Sequence, residues 1–66
     1  MTLMINGEPR IYPDGTVLKA IMDDLKITEK VMACAVNMEI VKKEAWESTA
    51  PQEGDKIEML HFVGGG

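Results

Sequence analysis

The sequence predicts an α+β domain, a mixed sheet of four to five strands with one main helix packed across one face. Three observations carry this. Asn6-Gly7 separates two short β-type runs, which is a strong hairpin signal because both residues tolerate positive φ. Apolar residues then recur at helical spacing over residues 17–25. Residues 56–63 form the longest β-type run, with side chains expected to alternate between two faces.

Thr2-Leu3-Met4-Ile5 is the first expected strand, and Glu8-Pro9-Arg10-Ile11-Tyr12 returns from the hairpin. Pro9 has no N–H for a ladder, so the return strand belongs at an edge. Pro13-Asp14-Gly15 ends it with turn chemistry. Thr16 is placed to cap the helix, whose apolar face holds Val17, Leu18, Ile21, Met22 and Leu25. Lys19, Asp23, Asp24 and Lys26 fall on the other face, and Thr28-Glu29-Lys30 is a polar connection. Ala33-Cys34-Ala35-Val36 and Ile40-Val41 are strands joined by a turn at Asn37-Met38-Glu39. Residues 43–46 suit a single helical turn, and Glu53-Gly54-Asp55 turns the chain into the last strand. The order is β-β-α-β-β-β, with the first and last strands placed side by side and parallel.

The faces of the sheet follow from alternation. Leu3, Ile5, Ile57 and Met59 point toward the helix, which leaves Met4, Leu60 and Phe62 on the open face. An apolar group on a small acidic domain is a candidate partner-docking surface. Trp46 or the loop around Pro51 is the alternative cover for it.

Composition narrows the function. A chain of 66 residues forms one small domain with a modest core. With one Cys and one His, it makes no internal disulfide and no four-ligand zinc site. Packing must hold it, and 45% of its residues are hydrophobic. The net charge of −4 argues against nucleic-acid binding, which needs clustered Lys and Arg; Lys42-Lys43 is too small a patch. No apolar run approaches a membrane span, and no export signal is visible. A cytoplasmic protein, monomeric when free, is the expectation.

No active site assembles. Cys34 and His61 are the only nucleophile and base of their kinds, and Cys34 is expected as a small buried apolar residue. His61 is expected as a partly exposed sheet residue, and Asp23-Asp24 as a solvated edge. The sequence instead ends on Gly64, Gly65 and Gly66. One reading is an inert, frayed terminus. The other uses the glycines: residues 1–63 form the domain, and 64–66 form a flexible tail. Without Cβ atoms such a tail threads a narrow channel and adopts whatever backbone shape a partner imposes. It also presents an unhindered carboxylate, ionised at neutral pH, to a partner that activates it with ATP.

The whole chain resembles the ThiS family of ubiquitin-like β-grasp sulfur carriers. Ala33-Cys34-Ala35-Val36-Asn37 followed by Glu39-Ile40-Val41 is similar to that family's strand-turn-strand stretch. Trp46 lies where the family places a tryptophan after a short helical turn, and Gly54-Asp55-Lys56-Ile57-Glu58 resembles its lead into the last strand. Gly65-Gly66 matches the terminal diglycine, with Gly64 as an added glycine. The resemblance implies a β-grasp fold and a protein that is a co-substrate, with no catalytic residue of its own. A ThiF-type, E1-like enzyme would adenylate Gly66 with ATP. Sulfur from a donor such as a cysteine desulfurase would then replace AMP, leaving a thiocarboxylate for the thiazole synthase ThiG. No stably bound cofactor and no metal are implied. Met4, Leu60 and Phe62 occupy the face on which such carriers dock. Four alternatives remain open: a MoaD-like carrier for molybdopterin synthesis, a carrier serving cysteine or another sulfur-containing metabolite, a protein-conjugating modifier, and a β-grasp interaction module with an inert tail. MoaD-like chains are typically longer, with an apolar-proline stretch before the tail that is absent here.

Overall fold

The computed structural model describes residues 1–62; Val63 and the expected tail, Gly64, Gly65 and Gly66, lie outside them. Five strands, β1 (Thr2–Ile5), β2 (Glu8–Ile11), β3 (Val31–Val36), β4 (Glu39–Ile40) and β5 (Lys56–His61), form one sheet in the order β2-β1-β5-β3-β4. β1 and β5 run parallel in its centre, and every other pair is antiparallel. One helix, α1 (Leu18–Asp24), and a single 3-10 turn (Lys43–Ala45) complete the described elements. This is the mixed α+β arrangement that the strand, hairpin and helix signals predict, and the ubiquitin-like β-grasp that the family resemblance implies.

The hairpin turns on Asn6 and Gly7, both at positive φ (50° and 83°), which matches the right-handed twist of its strands. β2, carrying Pro9, is an exposed edge. The β3–β4 turn uses the same device at Asn37 and Met38, with φ of 50° and 71°. The two asparagines also brace β5 from opposite sides. The Asn6 side chain accepts from the Met59 N–H (2.8 Å) and donates to the Met59 carbonyl (3.1 Å). Asn37 accepts from the Lys56 N–H (2.9 Å) and donates to Asp55 (3.0 Å). The β1–β5 register pairs Met4 and Ile5 with Lys56 and Ile57, the Asn6 N–H donates to the Ile57 carbonyl (2.9 Å), and the Asn6 side-chain amide carries the central parallel join on to Met59.

The helix departs from expectation at its start. Thr16 does not cap it; its hydroxyl donates to the Pro13 carbonyl (2.7 Å) and closes the preceding turn. Val17 holds the cap position without a side-chain bond. The free N–H groups of Leu18 and Lys19 instead donate to the carbonyls of Thr49 and Trp46, at 2.9 and 3.0 Å. The capping groups come from a distant loop. At the other end Lys26 adopts φ 61°, while the N–H groups of Lys26 and Ile27 donate to the carbonyls of Asp23 and Met22. This is a Schellman ending with lysine where glycine is usual.

Leu18, Ile21 and Met22 of α1 pack onto Leu3, Ile5, Cys34, Ile57 and Met59 of the sheet, all at most 4% exposed. Trp46 joins them from below the helix start, 4% exposed, and its indole N–H donates to the Val41 carbonyl (2.9 Å). Each such side chain contributes about 1.5–3 kcal/mol by leaving water, so the few residues here hold most of the stability. The inward set is the one that strand alternation assigned.

Candidate functional site

β5 places Glu58 and Leu60 on the sheet face away from α1, while Ile57 and Met59 point into the core; Phe62 follows its last residue, His61. Leu60 and Phe62 are 61% and 62% exposed. Leu60 lies opposite Ala33 of β3, and Glu58 lies opposite Ala35. The small alanines leave Leu60 standing above the sheet. Ile40, opposite Ala35 on β4, is 71% exposed and extends the same surface. Asn6, Ala33, Ala35, Ile40, Glu58 and Leu60 border one shallow, open depression. Neither alternative cover reaches it. Trp46 lies in the core under the helix start, and Pro51 is buried in the loop beside Met1 and Asp14.

Met4 does not join Leu60 and Phe62. The parallel register sets Met4 opposite Lys56, four residues before Leu60, or about 13 Å along the strand. Met4 is half-buried and shares a second depression with Met38 and Lys56. The expectation that all three form one patch is therefore corrected: alternation gives the face correctly, and register separates the positions along it. Ile40 was missed because a two-residue strand offers no alternation to read.

Cys34 and His61 form no reactive pair. The register pairs Cys34 with Met59 and His61 with Val31, at different levels of the sheet. Cys34 is 1% exposed, and burial pushes its thiol up from 9.0 to about 11. A thiol held protonated in apolar surroundings is a poor nucleophile. His61 Nδ1 lies 3.0 Å from the Phe62 carbonyl oxygen, and the ring borders a depression with Ile5, Leu25 and Ile27. Among the described residues no group of three or more His, Cys, Asp or Glu is placed to hold a metal ion. No helix among them is long and apolar enough to cross a membrane.

The raised thiol value has a measurable consequence. The folded state holds the Cys34 proton more tightly than the unfolded chain does, so stability is complete below pH 9.0 and falls as pH rises toward 11. The expected slope from this group is about 1 kcal/mol per pH unit within that window. Urea titrations from pH 8 to pH 11 check it. Cys34→Ala should flatten that part of the profile, whereas an unchanged slope would assign the loss to other groups.

Asp23 and Asp24 are separately engaged. Asp23 pairs with Lys19 (3.5 Å) and accepts from the Thr28 hydroxyl, which lowers its carboxyl value. Asp24 accepts from the Tyr12 hydroxyl (2.9 Å). Neither faces the open side of the sheet as part of a paired site, in keeping with a solvated edge.

The ThiS family model matches residues 3–66. The chain is 36% identical over 66 residues to a thiazole synthase of Paramagnetospirillum magneticum and 33% identical to one of Magnetococcus marinus. It spans all of its own length but only about a fifth (20%) of either of those proteins. It is also 26% identical to the sulfur carrier protein ThiS of Escherichia coli, over the full length of both chains. The crystal structure of the thiamine biosynthesis protein ThiS from Geobacter metallireducens superposes with a TM-score of 0.75 at 34% identity, again covering both chains fully.

Proposed function

The chain belongs to the ThiS family, and from that premise we propose that it is a sulfur carrier for thiazole formation in thiamin biosynthesis, with the Gly66 carboxylate as its reactive group. The observation that carries this reading is the extent of the family match, which runs through Gly64 and Gly65 to Gly66. A carboxylate is a weak nucleophile but attacks the α-phosphorus of ATP in a partner's site. Pyrophosphate leaves, and an acyl-adenylate remains on Gly66. Hydrosulfide adds to the acyl carbon and AMP departs, giving the thiocarboxylate directly; sulfur delivered as a persulfide gives an acyl disulfide instead, which a thiol reductant cleaves to the thiocarboxylate and a disulfide. A ThiF-type, E1-like enzyme supplies the site for the first step, and a donor such as a cysteine desulfurase supplies sulfur for the second. The acceptor proposed is the thiazole synthase ThiG, a partnership supported by the match of the whole chain to a stretch of two thiazole synthases.

The protein's own part is presentation. Leu60 on β5 and Phe62 just after it expose apolar surface where the chain leads to residues 63–66. A partner gripping that surface receives the end of the chain in a fixed direction. Gly64 and Gly65 carry no side chain to obstruct a narrow channel around it. ATP acts as a substrate of the partner, so no resident cofactor is required of this chain. Exchange of labelled pyrophosphate into ATP tests the first step. The proposal predicts exchange by a ThiF-type enzyme with the intact chain and none when the terminal carboxylate is blocked as its amide. Equal exchange with both would place the activated group elsewhere.

A further inference from the structure

We infer that Asn6 is a site of spontaneous deamidation which the folded protein suppresses, and that the modified chain holds its central strand join poorly. Two independent features meet at this residue. Asn6 precedes Gly7, whose amide nitrogen is unshielded by any side chain, and the Asn6 side-chain amide bonds at both ends to the backbone of Met59 on β5.

The chemistry needs only water. The Gly7 amide nitrogen loses its proton to solvent base and attacks the Asn6 side-chain carbonyl carbon. The bond from that carbon to Nδ2 breaks, ammonia leaves and a five-membered succinimide forms. One water then opens the ring at either carbonyl, giving aspartate or isoaspartate. The net change is an OH in place of an NH2, with no oxidation or reduction. In the folded chain the carbonyl oxygen and the amide nitrogen are both tied to Met59, at 2.8 and 3.1 Å. Ring closure requires the side chain to leave both partners and swing toward Gly7, so it must await local opening.

The products fit the site badly. Asparagine offers one acceptor to the Met59 N–H and one donor to the Met59 carbonyl. An ionised aspartate keeps the acceptor and sets a second acceptor against the carbonyl oxygen. Isoaspartate adds a methylene to the main chain within the β1–β2 turn, where Asn6 and Gly7 both hold positive φ. Each product weakens the parallel join at its Asn6 end, where the Asn6 N–H bonds to Ile57 and its side chain to Met59. β5 is also the strand that leads to the last residues of the chain. A molecule that opens at this join is thereby converted into one that closes less well.

The full chain is incubated at mildly alkaline pH with and without denaturing urea, and the peptides containing Asn6 and Asn37 are followed by mass and isoaspartate content. Asn37 is the internal comparison: it has the same positive φ and a similar bond to β5, but Met38 follows it. Conversion of Asn6 should be at least about tenfold slower in the folded chain than in urea. In urea it should outrun conversion of Asn37. Asn6→Asp should lower Tm by about 5 °C or more at neutral pH. That deficit should shrink below about pH 4, where the carboxyl regains a proton and with it a donor. Equal rates in folded and denatured chains would overturn the protection. Conversion of Asn37 as fast as Asn6 in urea would remove Gly7 from the account. A wild-type Tm in Asn6→Asp would overturn the consequence.

Discussion

Leu60→Glu and Phe62→Glu are each expected to weaken binding to a ThiF-type enzyme, the proposed activating partner, by about 2 kcal/mol or more, roughly thirtyfold, while the domain stays folded. Both side chains are more than half exposed, so the substitutions leave no cavity and strand no buried charge in the free protein. In a complex the same positions would force a carboxylate into an apolar contact, where desolvation is costly. Met4→Glu is expected to cost less, because register puts Met4 beside Lys56, four residues short of Leu60. Titration calorimetry against a ThiF-type enzyme, with a thermal melt of each variant, separates binding from folding. Unfolding of Phe62→Glu would show that this side chain supports the core. Equal binding by all three variants would place the docking surface elsewhere.

Trp46→Ala should do the reverse, destroying the fold without touching the open face. The indole is 4% exposed and packs within the core formed by α1 and the sheet. The indole N–H donates to the Val41 carbonyl, and the buried ring holds the Trp46 backbone carbonyl in place as acceptor for the Lys19 N–H of α1. Truncating a buried aromatic of this size costs about 3–5 kcal/mol. A domain of this length has a net stability of only a few kcal/mol, so the loss is comparable with the whole. Trp46→Phe keeps most of the packing and loses the hydrogen bond, a smaller loss of about 1–2 kcal/mol. Urea denaturation followed by circular dichroism measures both. A cooperative, near wild-type transition in Trp46→Ala would mean that the 3-10 segment carries little of the stability.

The elements most legible in the sequence were those specified locally. Asn6-Gly7 set the hairpin, Pro9 put β2 at the edge, and the periodicity of Leu18, Ile21 and Met22 set the buried face of α1. Alternation divided β5 into core and open sides because both sides of that strand carry large apolar residues. What was not legible depends on partners distant in sequence. The helix start was read from Thr16, but the capping carbonyls come from Trp46 and Thr49. Met4 was assigned to the right face and the wrong neighbourhood, because a parallel register is not encoded in either strand alone. Lys26 and Met38 hold positive φ without the glycine that would announce it; the local bonds of the Schellman ending close the first turn and β3–β4 pairing closes the second. Of the candidate site, Leu60 and Phe62 were found by alternation, and Ile40 became visible only through its pairing with Ala35. The proposed chemistry itself lies at Gly66, beyond the described residues, and rests on the sequence and the family match.

The most direct test of the sulfur-carrier assignment is intact mass after incubation with a ThiF-type enzyme, ATP and sulfide, for the full chain and for a chain lacking Gly66. The account predicts that the full chain gains the difference between one sulfur and one oxygen, and that the shortened chain gains nothing. No change in the full chain, with an enzyme shown to be active on another carrier, would contradict it, as would the same gain in both chains.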